Sequence, residues 1–139
     1  MKKNVLIIKL KRLLEKEPIE FAYLFGSQVQ GEASRFSDID LAVYFKKEIK
    51  DPAWARFSLM GKLKGSLGKD IDITPLNDLA RLPSYLGYEI VDKGTIVINR
   101  NSSLEKKIKD RLIKKYQKEI PVLEKQWEET LNHIRQWRV

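Results

Sequence analysis

The chain has no cysteine, one histidine, and no apolar run near the roughly 20 residues that a membrane-crossing helix needs. The first absence excludes disulfide staples, thiolate-bound metals and cysteine nucleophiles. The second excludes histidine-rich metal centres, and the lone His133 reads as a polar position on a late helix. The third, with a lysine-rich start that lacks the small-residue cleavage site of a secretory signal, makes the cytoplasm the expected location and membrane association unexpected. Whatever chemistry the chain performs has to run on carboxylates, hydroxyls, lysines and backbone amides.

What is present fits a soluble folded unit, with 42% hydrophobic and 33% charged residues over 139 positions. That length suits a single domain, 1–139, in which 104–139 forms a helical C-terminal extension. It leaves little room for a second substrate-binding domain, so a large substrate would draw on a partner to complete the site. The 27 basic and 19 acidic residues leave a formal charge of +8, which attracts nucleic acid, a nucleotide or an acidic partner without choosing among them. Lysine and arginine alternate with glutamate from Leu104 to Val139, so much of the excess lies on solvated helix faces, and direct nucleic-acid binding is not favoured.

Asn4 is a candidate cap for a helix with Val5, Leu6, Leu10, Leu13 and Leu14 at helical spacing, ended by Glu17-Pro18. A strand through Val5 to Ile8 stays open as the alternative. Ile19 to Phe25 reads as a buried strand stopped by Gly26-Ser27, and the polar stretch 27–36 as a tight loop. A second strand runs to Phe45. Asp51-Pro52 starts a helix that carries Trp54, Phe57, Met60, Leu63 and Leu67 and stops at Gly68, with Gly61 and Gly65 allowing close packing on a sheet. Lys69 to Ile73 is a third strand cut off by Pro75. Short helices from Asp78 and Pro83, a strand at Thr95 to Ile98, and a helical end that Pro121 breaks or kinks complete the reading. Trp54 and Trp127 are expected in the core or an interface, and Trp137 partly exposed.

Asp38 and Asp40 stand two apart in a strand, so both carboxylates leave one face while Ile39 and Leu41 enter the core. Carboxylates held that close repel unless a cation joins them. Asp70 and Asp72 repeat the pattern in the third strand. If these strands are neighbours, three or four carboxylates converge on a patch suited to one or two magnesium ions, which prefer oxygen ligands. The bland alternative is an acidic strand edge that discourages unwanted pairing. Gly26 allows close approach of backbone to a ligand, and the amides after Ser27 can face phosphate oxygens. The Gly-Lys-Ser/Thr ending of a P-loop is absent.

The run from Phe25 through Gly26-Ser27 and Ser37-Asp38-Ile39-Asp40 to Val43 resembles the signature of the DNA polymerase beta superfamily of nucleotidyltransferases. With Ile71-Asp72-Ile73-Thr74-Pro75-Leu76-Asn77 and the small size, it is similar to the minimal nucleotidyltransferases, often encoded beside a helical HEPN protein. The resemblance implies an α/β (α+β) nucleotidyltransferase fold, a small mixed sheet with packed helices and a helical C-terminal segment. It implies that Asp38 and Asp40 bind catalytic Mg2+, that Asp72 completes the carboxylate set around two ions, and that Gly26 and Ser27 hold the triphosphate of ATP. It further implies an antitoxin that attaches AMP to a tyrosine of a HEPN ribonuclease toxin. Two other readings stay open: transfer to a small molecule such as an aminoglycoside, and a non-catalytic module that neutralises a partner by contact. Arg35, Lys62 and Lys69 are candidate phosphate neighbours by sequence proximity alone. Self-association is left undetermined.

Overall fold

A computed structural model describes residues 2–26 and 38–137. Among these residues, two helices lie on each face of a four-stranded mixed sheet. Helix α1 (Lys3–Leu14) precedes strands β1 (Ile19–Phe25) and β2 (Ile39–Phe45), then come α2 (Pro52–Leu67), β3 (Ile71–Pro75), α3 (Ser84–Lys93), β4 (Thr95–Asn99) and α4 (Ser102–Trp137). The strand order is β3-β2-β1-β4. β1 pairs antiparallel with both β2 and β4, whereas β2 and β3 run parallel and so need the long crossover that α2 supplies.

The alternation of the strands sorts the core. Ile39, Leu41, Val43, Ile71 and Ile73 point to one face, where Leu6, Leu10 and Leu14 of α1 and Leu59 and Leu63 of α2 cover them. Phe21, Tyr23, Phe25 and Ala42 point to the other, against Ile90 and Val91 of α3 and Ile108 and Leu112 of α4. An irregularity between Ile19 and Phe21 switches β1 from one parity to the other, the work of a β-bulge at a strand entrance.

Side chains also pin the ends. Asp51 accepts a hydrogen bond from the Trp54 amide, Pro52 opens α2, and Gly68 closes it in the left-handed conformation at φ 69°. Asn77 bonds both backbone groups of Phe45 at 2.9 Å each, which continues the β2 pairing past Pro75. The Arg100 guanidinium donates to the carbonyls of Leu14, Glu15, Glu17 and Ile19, tying the end of β4 to the connection between α1 and β1. Tyr23 donates to the buried Glu105 and so ties α4 to the central strand.

Several expectations need correction. Asn4 lies inside α1, whose cap position is Lys2 with no side-chain bond. Helix α4 continues through Pro121, so the chain does not break there. Gly61 and Gly65 face open space, so they do not serve close packing. Trp54 and Trp127 are 72% and 61% exposed, so they are not core residues, whereas Trp137 is exposed as expected. Trp54 sits five residues before the buried Leu59, about 140° around a helix of 3.6 residues per turn, and so faces away from the sheet. The α4 residues 121–130 are exposed throughout, because that half of the helix has passed beyond the sheet edge. Among the described residues no helix is long and apolar enough to cross a membrane.

Candidate active site

The β2–β3 register decides where the acidic residues go. Asp40 and Asp72 are direct partners in the parallel ladder, with Ile39 opposite Ile71 and Leu41 opposite Ile73. Since Ile39, Leu41, Ile71 and Ile73 all enter the same core, Asp40 and Asp72 leave the sheet together on its other face. Asp38 stands two residues before Asp40, exposed at the mouth of β2. The consequence for charge appears at Asp40, whose carboxyl is held above the usual aspartate range by burial, then by the charge of Asp72, then by that of Asp38.

Gly26 completes this corner. It follows β1, whose last residue Phe25 is the register partner of Asp40, and it adopts φ 77°. A Cβ built there would stand 2.5 Å from Oδ2 of Asp40, so the glycine gives both the left-handed turn and the space that the carboxylate occupies. Ser27, Gly31, Arg35 and Ser37 lie outside the described residues.

Asp70 is not part of the cluster. Its side chain pairs with Lys64 of α2 at 2.7 Å, while its backbone oxygen accepts from the Ile39 amide at 3.0 Å. Lys62, a candidate phosphate neighbour, pairs instead with Glu17 at 3.2 Å. Among the described residues, the cation that reaches the acidic corner is Arg56 of α2. It donates to Oδ1 of Asp72 at 2.9 Å and through Nε to the Ile73 carbonyl at 2.5 Å. The sequence does not mark it, because it sits in the first turns of α2 among apolar residues and meets Asp72 only once that helix packs over the sheet.

The oxygen-only donor set suits a hard divalent cation. The fit rests on the shared face of Asp40 and Asp72, the mutual repulsion registered at Asp40, and the cradle at Gly26 that a Cβ would fill. Among the described residues no three acidic or histidine side chains already form a closed ligand set, since Asp72 is turned to Arg56.

The family described as "Polymerase beta, Nucleotidyltransferase" matches residues 8–103, well over half of the chain. The chain belongs to this nucleotidyltransferase family. It is 36% identical over 76 residues to the protein adenylyltransferase MntA of Shewanella oneidensis, an alignment that covers 55% of this chain and 51% of MntA. The chain thus spans about half the length of the curated relative it matches. It is similar over 97% of its length to 99% of a chain in the crystal structure of a toxin-antitoxin with AMP-PNP, at 26% identity and a TM-score of 0.69. A structure of the tri-AMPylated Shewanella oneidensis HEPN toxin in complex with MNT antitoxin shares the fold, at 22% identity, a TM-score of 0.64, and coverage of 96% and 98% of the two chains. The nucleotidyltransferase match takes in Gly26, Asp38, Asp40 and Asp72 and ends where α4 begins.

Proposed function

We propose that this nucleotidyltransferase is an antitoxin that transfers AMP from ATP to a tyrosine hydroxyl of a partner HEPN toxin. The observation that carries the reading is the pairing of Asp40 with Asp72 beside Gly26, in a chain similar to a protein adenylyltransferase. The toxin-antitoxin structure with AMP-PNP supports ATP as donor, and the tri-AMPylated HEPN complex supports a HEPN toxin as the partner that receives AMP.

In this reading Asp38, Asp40 and Asp72 hold two magnesium ions. Bound there, the ions supply charge neutralisation on the triphosphate and a lower pKa for the acceptor hydroxyl. Gly26 and Ser27 position the triphosphate: the glycine leaves room at the Asp40 side, and the serine hydroxyl and following amides offer donors. Asp72 orients the acceptor hydroxyl and helps remove its proton, which places the oxygen in line with the α-phosphorus. The new bond forms between that oxygen and phosphorus as the bond to pyrophosphate breaks. The reading also takes 1–139 as one domain with 104–139 as its helical extension, supported by the burial of Ile108 and Leu112 against the same sheet. Cytoplasmic location belongs to the same proposal.

The test is incubation with Mg2+, ATP labelled on the α-phosphate, and the HEPN protein encoded beside this chain. Label should pass to a tyrosine of that protein, and replacing Asp38 and Asp40 together with asparagine should abolish it. An unlabelled toxin, or equal labelling by the double variant, would overturn the proposal. Neutralisation of the toxin by the double variant at wild-type strength would show that contact alone suffices.

A further inference from the structure

Among the described residues, Arg56 is a feature of the site that the sequence motifs do not mark. It projects from α2, which packs on the sheet face opposite to Asp72, and it reaches the carboxylate by passing over the outer edge of β3. Two nitrogens of one planar guanidinium are engaged: Nε at the outward-facing carbonyl of Ile73 and Nη2 at Oδ1 of Asp72. The backbone anchor separates this contact from an ordinary surface ion pair, since it fixes where the charge sits. Asp70, the nearer acid to the end of α2, is already paired with Lys64, so Arg56 serves Asp72 alone on this strand.

We propose that Arg56 is a resident counter-ion of the third carboxylate, which pre-orients Asp72 and competes with divalent metal for its Oδ1. This rests on the reading of Asp38, Asp40 and Asp72 as the metal-binding set. Three carboxylates gathered at one corner destabilise each other until a cation arrives, and a guanidinium in place of the metal relieves part of that repulsion in the meantime. Metal binding at Asp72 then has to share or displace the arginine. The side chain has somewhere to go, because Arg56 also lines an open cleft of about 530 Å3 with Asp51, Thr74 and Arg81. Arg56 is therefore a positioning residue, acting on the reaction through Asp72.

The experiment is nucleotide-free Mn2+ binding to the full chain, read from the paramagnetic resonance signal of free Mn2+, with Mn2+ standing in for Mg2+. A partly exposed ion pair of this kind is worth roughly 0.2–1 kcal/mol, so R56Q should bind Mn2+ about 1.5- to 5-fold more tightly than the wild type. R56M, which keeps the aliphatic stem, gives the same readout should R56Q fold poorly. R56K keeps the charge but loses the two-nitrogen fork, so its affinity should fall between those of the wild type and R56Q. D72N should bind Mn2+ more weakly, and adding R56Q to D72N should give no gain, since the two act through one contact. Folded R56Q and R56M with unchanged or weaker affinity, beside a D72N that binds more weakly, would overturn the counter-ion role and leave the functional reading intact. If neither D40N nor D72N alters Mn2+ binding, the metal-site reading itself fails and the inference falls with it.

Discussion

Replacing Gly26 with alanine tests the corner of the site with one methyl group. The added Cβ would stand 2.5 Å from Oδ2 of Asp40 and 3.3 Å from its Cγ, where ordinary van der Waals contact begins at 3.4 Å. The Asp40 backbone cannot retreat, because β2 is held between β1 and β3 in the ladder. Relief has to come from the carboxylate, whose oxygen must move by roughly 1 Å. A misplacement of about 1 Å in a catalytic group is of the size that costs on the order of 100-fold in rate. The φ of 77° adds about 1–2 kcal/mol of backbone cost for any residue with a Cβ. The Gly26→Ala variant should therefore lose a few degrees of melting temperature and about two orders of magnitude of AMP transfer at saturating ATP. Gly94→Ala is the control: its Cβ would meet the backbone oxygens of Ile90 and Leu24 and no carboxylate, and should cost stability with little loss of turnover per folded molecule. A folded Gly26→Ala protein with turnover within about threefold of the wild type would refute the placement of Asp40 in the reaction.

Other consequences can be measured without the partner. Asp40 carries a carboxyl pKa raised by burial and by the charges of Asp72 and Asp38, so the native state binds the extra proton at a higher pH than the unfolded chain does. Stability should fall as pH rises from the unfolded value through the raised folded one, and stay lowered above it. Asp40→Asn should raise the melting temperature at neutral pH, by roughly 2–4 °C per kcal/mol relieved, and flatten that acid-side slope in calorimetry. Tyr23→Phe leaves the buried Glu105 carboxylate without its donor and should cost about 1–3 kcal/mol in urea unfolding. Ending the chain after Ile120 removes a helical stretch that is largely exposed and should change unfolding free energy by less than about 1 kcal/mol. A larger loss would show that the outer half of α4 packs on something within the chain.

The strands and their faces were legible because each is short, apolar and bounded by a strong signal. Gly26 closes β1, Asp51-Pro52 and Gly68 bracket α2, and Pro75 ends β3. Period-two alternation likewise gave the outward direction of Asp38, Asp40 and Asp72. The sequence could not say that β2 and β3 are neighbours, since a parallel register is decided by the packing of α2 on Ile39, Leu41 and Ile73. For that reason Arg56 and Asp72, 16 residues apart, were not joined, while Lys62 and Lys69 drew attention by proximity. Trp54 is absent from the core for a different reason. Apolar residues lie all around α2, so spacing alone did not tell Leu59 and Leu63, which face the sheet, from Trp54 and Phe57, which do not. At Pro121 the lost amide and the ring clash do not end the helix, which continues to Trp137.

The parallel pairing of β2 and β3 links architecture to chemistry. Two parallel neighbours cannot be joined by a tight turn, so the chain has to leave the sheet, run the length of α2 and return beside the strand it left. That obligatory crossover does two things at once. It sets the third carboxylate on the same face and at the same level as Asp40, and it carries Arg56 to the edge where that carboxylate stands. The acid and its counter-ion thus arrive on one connection. Removing either changes the charge at the corner without touching the Leu59 and Leu63 contacts that hold α2 down. The site is also built against stability: Asp40 is half-buried beside like charges, in a position where an apolar residue would pack at less electrostatic cost. A fold tolerates such a corner because the two cores on either side of the sheet are formed by other residues.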